Sequence, residues 1–484
     1  MHRRHIGTVA LGVSFALGFV GNACSSSNGG PGKGKRGDGG PQFLYEGGSI
    51  FNKIDGATLS ISPADPEINV NPLTGKPDPI AFTVSGAGNA RVEWVVSNPN
   101  LGTIDENGVF TPSGLAGGEG YVEVHVGNAV AKVHIVVHVT AEQNGASAAS
   151  LVDAGAGGLG GVGGEGLGGA VPDDLLAILK GTPEADAAVK MLYPYDETVF
   201  PLGVLPPLYQ WTPGGNGHFD AIYVHLSSPP YYDYKGYFAR PAALATTADF
   251  VRHSVPKEVW KAATESAAGS TLKVEVVLAA GGKAYGPITQ SYKIALAPFN
   301  GVVYYQAYAT AFVENEPEKT IWGGRFGGAT LSIDVGAEGP TLVAGSTSDD
   351  KSGCRVCHSV SAYGDRMVAQ HGNNYTQTAS IDLKNGNAET NPYQNGTLGW
   401  AGLYPDGSMG LANSIDVTGS DSNQGDTKLY DMTNGAVIAS PGLNEFATQI
   451  GLPAFSPDGK HAAFNLVVGK STAAIGAADG RKLV

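Results

Sequence analysis

The sequence predicts a mainly β protein: tandem β-sandwich units followed by a partial array of repeated β-sheet units. Three observations carry this. Glycine supplies 71 of the 484 residues and proline 29, so turns are frequent. Only 15% of residues are charged, which argues against coiled coils, long helical arrays and charge-driven disorder. Short alternating apolar stretches recur between turn sequences along most of the chain. With 42% hydrophobic residues the chain can bury sizeable cores, and its length suggests about three domains. The net charge of −14 disfavours a nucleic-acid partner.

Residues 1–23 read as an export signal. His2-Arg3-Arg4-His5 is a basic start, and Ile6 to Val20 is apolar but too short to span a bilayer comfortably. Gly21-Asn22-Ala23-Cys24 then places a small residue before a cysteine. This resembles the lipobox of bacterial lipoproteins, although Gly21 stands where that family carries an aliphatic residue. The resemblance implies that Cys24 is lipidated and becomes the mature N-terminus, whereas ordinary signal-peptidase cleavage is the alternative. Residues 24–55 read as a flexible tether, since Ser25 to Gly40 has almost nothing apolar to bury. In such lipoproteins a serine after the cysteine favours the outer membrane. The expectation is an exported protein held at the cell envelope by a lipid anchor, facing the periplasm or the cell surface. No other stretch reads as a transmembrane helix.

Residues 56–140 form the first sandwich. Val92, Trp94 and Val96 alternate onto one face, as a half-buried strand requires. Asn98-Pro99-Asn100 and Glu106-Asn107-Gly108 are turn chemistry, and Gly127-Asn128 separates two strands as a hairpin would. The string from Val92 to Val126 resembles bacterial immunoglobulin-like domains of the group 2 kind, which implies a spacer or adhesive module. Residues 141–171 read as a second flexible linker, because ten of the fifteen residues from Gly155 to Gly169 are glycine. Residues 172–297 then read as another sandwich, immunoglobulin-like or fibronectin-like. Its strands are Asp220 to Leu226, Thr271 to Leu278 and Ile288 to Leu296, with Gly281-Gly282 as a hairpin loop and a helix over Pro256 to Ala268.

Residues 298–484 contain a repeat. Phe455-Ser456-Pro457-Asp458-Gly459-Lys460 has a second copy in Leu403-Tyr404-Pro405-Asp406-Gly407-Ser408. A degraded third copy is Val360-Ser361-Ala362-Tyr363-Gly364-Asp365. The motif resembles that of TolB-like and WD40-like (PD40) β-propeller blades. Later turns, Asn385-Gly386, Asn434-Gly435 and Asp479-Gly480, repeat in step. Three copies, and a fourth blade if Thr320 to Val343 contributes one, stand against about four to eight in closed propellers. The domain is therefore expected to be an incomplete propeller-like array.

Besides Cys24, the only cysteines lie in Cys354-Arg355-Val356-Cys357-His358. This CxxCH resembles the attachment motif of c-type cytochromes. There two thiols reach the vinyl groups of one porphyrin edge and the adjacent imidazole binds iron. The resemblance implies covalent haem c on Cys354 and Cys357, with His358 as proximal iron ligand. Met367, His371 and Met409 are the candidate distal ligands. A zinc ribbon would need a second ligand pair, and a thioredoxin-like site would need a βαβ setting. A structural disulfide leaves His358 unexplained.

The leading reading is an envelope-anchored haem protein for electron transfer or redox sensing, with an unknown redox or protein partner and no catalytic residues assigned. Two alternatives stay open. One is a non-redox binding or scaffold lipoprotein whose cysteines form a disulfide; the other is a haem enzyme with an open distal site. An electron-transfer or binding protein is favoured over an enzyme. His134 and His138 are expected to be solvent-face residues, since four strand residues set them about 13 Å apart. The aromatic run Tyr231, Tyr232, Tyr234, Tyr237 and Phe238 is expected to pack inside a sandwich.

Overall fold

A computed structural model describes residues 49–50, 53–54, 57–75, 77–147, 167–240, 251–315, 326–337, 339–372, 377–393, 398–414, 427–447, 450–466 and 482–483. The signal peptide, most of the tether and Cys24 lie outside the described residues, as does the Asp479-Gly480 turn. Among the described residues no helix is long and apolar enough to cross a membrane. The architecture is mainly β, with sandwich units followed by a partial propeller-like array of sheets.

The first unit is built on β1 (Glu67–Val70), β2 (Glu93–Val96), β3 (Gly118–Val126) and β4 (Ala129–Asn144). β3 and β4 form a hairpin closed by Val126 opposite Ala129, with Gly127 at φ 59°. A two-residue hairpin turn needs that positive φ to match the twist of its strands. Alternate residues of β4 from Ala129 to Val139 are buried. They share a core with Leu59, Phe82, Leu101 and Phe110 of the facing strands and loops.

The second unit contains α1 (Asp173–Leu179), β5 (Val199–Leu202), β6 (Ala221–Ser228), β7 (Tyr232–Ala239), α2 (Lys257–Ser266), β8 (Thr271–Ala280) and β9 (Lys283–Pro298). The β8–β9 hairpin turns on Gly281 (φ 56°) and Gly282 (φ 79°). Pro256 precedes α2, which buries Val259, Trp260, Ala262 and Ala263. Of the aromatic run, Tyr232, Tyr234, Tyr237 and Phe238 are buried, while Tyr231 is half-buried beside His138. The Tyr232 hydroxyl donates to the Val259 carbonyl at 2.9 Å, and that of Tyr234 donates to Gln143 Oε1 at 2.9 Å. Helix α1 was not expected; Pro172 followed by Asp173 and Asp174 is its sequence signal.

The two units share one sheet. Its strand order is β5-β9-β8-β6-β7-β4-β3-β2, with β1 and Ser49–Ile50 also paired to β4. The join is a parallel pairing of β4 with β7, from Val139 opposite Tyr232 to Asn144 opposite Tyr237. One continuous apolar core runs from Leu59 to Ile294. This corrects the linker expectation at both of its ends. The strand runs on to Asn144, whose side chain accepts from the Val171 amide at 2.7 Å and donates to the Val171 carbonyl at 3.2 Å. Leu167 is buried in the common core. Residues 148–166, which include most of the glycines, lie outside the described residues.

Four small antiparallel sheets follow. The first is β10 (Val302–Glu314), β11 (Phe326–Asp334) and β12 (Thr341–Ala344). The second is β13 (Val356–Val360), β14 (Arg366–His371), β15 (Gln377–Asp382) and β16 (Ala388–Tyr393). The third is β17 (Leu398–Leu403), β18 (Met409–Ser414), β19 (Thr427–Asp431) and β20 (Val437–Ile438). The fourth is β21 (Ile450–Phe455), β22 (Ala462–Leu466) and β23 (Lys482–Leu483). The described part of the Thr320 to Val343 segment, the conditional fourth blade, lies in the first of these sheets, which begins earlier, with β10.

Period-two alternation stacks these sheets face to face. Met367 and Ala369 of β14 pack with Val343, Ala344 and Tyr304 of the first sheet. Val368, between them, packs with Leu398, Ala401 and Tyr430 of the third. Leu411 of β18 meets Ile450 and Phe464 of the fourth. The repeat motifs make three equivalent turns. In each, the first turn residue (Ser361, Tyr404 or Ser456) accepts from a glycine amide three residues on. Its own amide donates to a carbonyl five residues on (Arg366, Met409 or His461). Gly364, Gly407 and Gly459 take φ 70°, 71° and 70°, as the sequence motif requires of them.

Candidate functional site

The cysteine motif lies at the start of the second sheet. A short turn, Lys351–Gly353, leads to Cys354, and β13 begins two residues later. Cys354 is buried at 5% exposure against β11, where a Cβ on Gly328 would overlap its sulfur. Only glycine at position 328 leaves that room. The Arg355 amide donates to the Gly328 carbonyl at 3.1 Å, so the motif is also tied to β11 through its backbone.

Cys357 adopts φ 53°, a left-handed conformation for a residue with a side chain, which costs roughly 1–2 kcal/mol. The register explains the position. Val356 lies opposite Gln370 and Ser359 opposite Val368, so Cys357 and His358 together face the single residue Ala369 as a bulge. Burial pushes the Cys357 thiol up from its ordinary range, and the neighbouring Cys354 adds to the effect. No disulfide joins the two cysteines in this structure.

His358 is partly buried. Burial holds its ring below the ordinary histidine range, against the opposing effect of its hydrogen bond to the Tyr304 backbone on β10. An imidazole with one nitrogen tied to the backbone has its ring orientation set and keeps its other nitrogen available to a metal. The ring lines an open cleft of about 860 Å³, whose walls include Tyr304, Asp334, Tyr363, Leu383 and Lys384. Lys384 pairs with Asp365 at 3.1 Å near the rim.

The structure brings Cys354, Cys357 and His358 to one edge between the first and second sheets. It does not bring the distal-ligand candidates to the cleft. Met367 is fully buried in the apolar core between those sheets, because its place in the β14 alternation faces inward. Met409 begins β18 in the third sheet, next to the repeat turn and away from the cysteine end of β13. His371 ends β14 at 5% exposure rather than in a solvent-facing turn. Burial and the Arg355 charge lower its pKa, opposed by Glu389 and an Asn391 hydrogen bond. Its Nε2 is buried with no hydrogen-bond partner among the described residues. Among the described residues no three His, Cys, Asp or Glu side chains gather as a metal cluster.

His134 lies 3.3 Å from Glu119, and His138 Nδ1 lies 3.1 Å from the Pro230 carbonyl; each has its own partner on the sandwich surface. Sequence reasoning missed Gly328, Tyr304 and Glu389. None lies near the motif in sequence, and nothing local marks them.

No family model matches the chain, and no curated protein matches it. Among solved structures it is similar to a TolB-designated protein of Agrobacterium tumefaciens at 16% identity, covering 40% of this chain and 65% of that one, with a TM-score of 0.23. TolB of Acinetobacter baumannii is similar at 15% identity over 53% of this chain and 49% of that one, with a TM-score of 0.23. SGBP-B of a Bacteroides ovatus mixed-linkage glucan utilization locus, solved with a mixed-linkage heptasaccharide, is similar at 13% identity over 65% of this chain and 64% of that one, with a TM-score of 0.15. The chain thus spans less than two thirds of the length of each of these structures.

Proposed function

We propose that this is an exported, lipid-anchored envelope protein that carries one covalent haem c and serves electron transfer or redox sensing. The observation that carries the reading is the setting of CxxCH. A glycine cradle receives Cys354, and the His358 ring is hydrogen-bonded to the Tyr304 backbone in front of a cleft. The donor set, two thiols and an imidazole, suits haem, although Cys354 packs on Gly328 and neither cysteine lines the cleft that His358 faces. Cys354 and Cys357 would hold it by thioethers and His358 would bind its iron; when bound, it supplies a one-electron couple. The first sheet covers Cys354, and the Tyr304 backbone orients the ligand ring. The export signal supports the same reading, since c-type attachment takes place outside the cytoplasm. Cys24 and the tether would place the sandwiches and the array off a membrane surface.

Export in a host that attaches haem c tests this. The denatured protein should keep peroxidase-active haem stain after gel electrophoresis, and Cys354→Ser with Cys357→Ser should lose it. An unstained wild type sinks the proposal. A second reading, a haem protein with an open distal position, has its own support: among the cleft-lining residues there is no methionine and no second histidine. Rapid cyanide binding by the ferric protein would favour it, and an unreactive six-coordinate spectrum would oppose it.

A further inference from the structure

Arg355, the first of the two residues between the cysteines, is the most heavily tethered in the motif. Arg355 sits at 11% side-chain exposure and its partner Glu389, on β16, at 26%. Arg355 Nε donates to Glu389 Oε2 at 3.0 Å and Oε1 at 3.2 Å, and Nη2 donates to Oε1 at 2.6 Å. Its Nη1 donates to the carbonyls of Ser352 (2.9 Å) and Cys354 (3.0 Å). On the backbone, Gln306 Nε2 donates to the Arg355 carbonyl at 2.7 Å, and the Arg355 amide reaches Gly328. One side chain therefore ties the turn before Cys354 to the outer strand of the sheet.

We propose that Glu389 is a positioning residue for the cysteine motif and acts through Arg355 as a latch on Cys354. A two-pronged guanidinium–carboxylate contact is stronger and more directional than a single ion contact. The Arg355 side chain, largely covered, is less screened than that of a fully exposed pair, although Glu389 meets solvent. While the latch is closed, the turn at 351–353 is pinned and the Cys354 sulfur stays packed on Gly328. Any reagent or cofactor that reaches this sulfur must do so through local opening of the turn. Loss of Glu389 leaves a shielded guanidinium without its carboxylate, and the turn opens more often. The inference concerns access to the thiol and does not depend on haem being the group that Cys354 receives.

Iodoacetamide alkylation of the full chain, produced reduced and haem-free, tests this by peptide mass. In the wild type Cys354 reacts much more slowly than the more exposed Cys357. In Glu389→Gln the Cys354 rate rises by about tenfold or more, while Glu389→Asp, which keeps the charge, stays nearer the wild type. Lys283→Gln, which breaks the exposed Lys283–Glu184 pair in the second sandwich, leaves the rate unchanged. Arg355→Lys keeps the charge but loses the fork; it carries the test if Glu389→Gln does not fold and should raise the rate. Equal Cys354 rates in wild type, Glu389→Gln and Arg355→Lys would overturn the latch. So would a wild-type Cys354 that reacts as fast as Cys357. A native protein without haem would defeat the proposed function and leave this test standing.

Discussion

His253 gives the shared core a measurable acid sensitivity. It ends the short strand Val251–His253, is fully buried, and its Nε2 hydrogen-bonds the Leu167 carbonyl at 3.0 Å. Its ring lies 5.0 Å from that of Phe238. Burial pushes its pKa down from 6.5 to about 4, against the raising effect of its backbone hydrogen bonds. Below pH 6.5 the unfolded chain therefore takes up a proton at this site that the folded chain refuses. Stability is full above pH 6.5 and is lost as pH falls toward 4. A gap of about 2.5 pH units at about 1.4 kcal/mol each amounts to about 3 kcal/mol. Urea unfolding followed by tryptophan fluorescence suits the measurement, since Trp211 and Trp260 are buried in the same core. Between pH 7.5 and 4 the wild type should lose about 3 kcal/mol more than His253→Gln, which has no ionising ring. Parallel curves for the two proteins would refute the reasoning.

Two further outcomes follow from single contacts. Gly328→Ala should place a methyl group on the Cys354 sulfur and near Val356, destabilising the protein by about 1–3 kcal/mol; unfolding midpoints and a faster Cys354 alkylation rate would report it. Tyr232→Phe removes the buried hydroxyl that donates to Val259 and should cost about 1–2 kcal/mol, seen as earlier urea unfolding with unchanged circular dichroism in the native baseline.

Local signals carried much of this fold. The hairpins at Gly127-Asn128 and Gly281-Gly282 and the turns at Gly364, Gly407 and Gly459 were legible because turn chemistry acts over a few residues. The parallel pairing of β4 with β7 was not. Val139 and Tyr232 are distant in sequence, and no local pattern encodes which strand edge a sheet will join. A glycine-rich stretch between them also masked the fact that its two ends close on each other through Asn144 and Val171.

The site divides in the same way. Cys354, Cys357 and His358 announce themselves by spacing, whereas Gly328, Tyr304 and Glu389 arrive from other strands of the array. Met367 is a candidate ligand by donor type and by its nearness to the motif in sequence. Its alternation with Val368 and Ala369 along β14 instead places it in a core. His371 shows the reverse, a histidine in a turn-like sequence that the sheet buries.

The most direct test of the account is one intact mass spectrum of the mature protein exported from a haem c-attaching host. The account predicts the mass of the chain from Cys24 plus lipid and one haem, with the haem increment absent in the Cys354→Ser, Cys357→Ser double variant. A wild-type mass without the haem increment, together with two alkylatable thiols or one disulfide at Cys354 and Cys357, would contradict it.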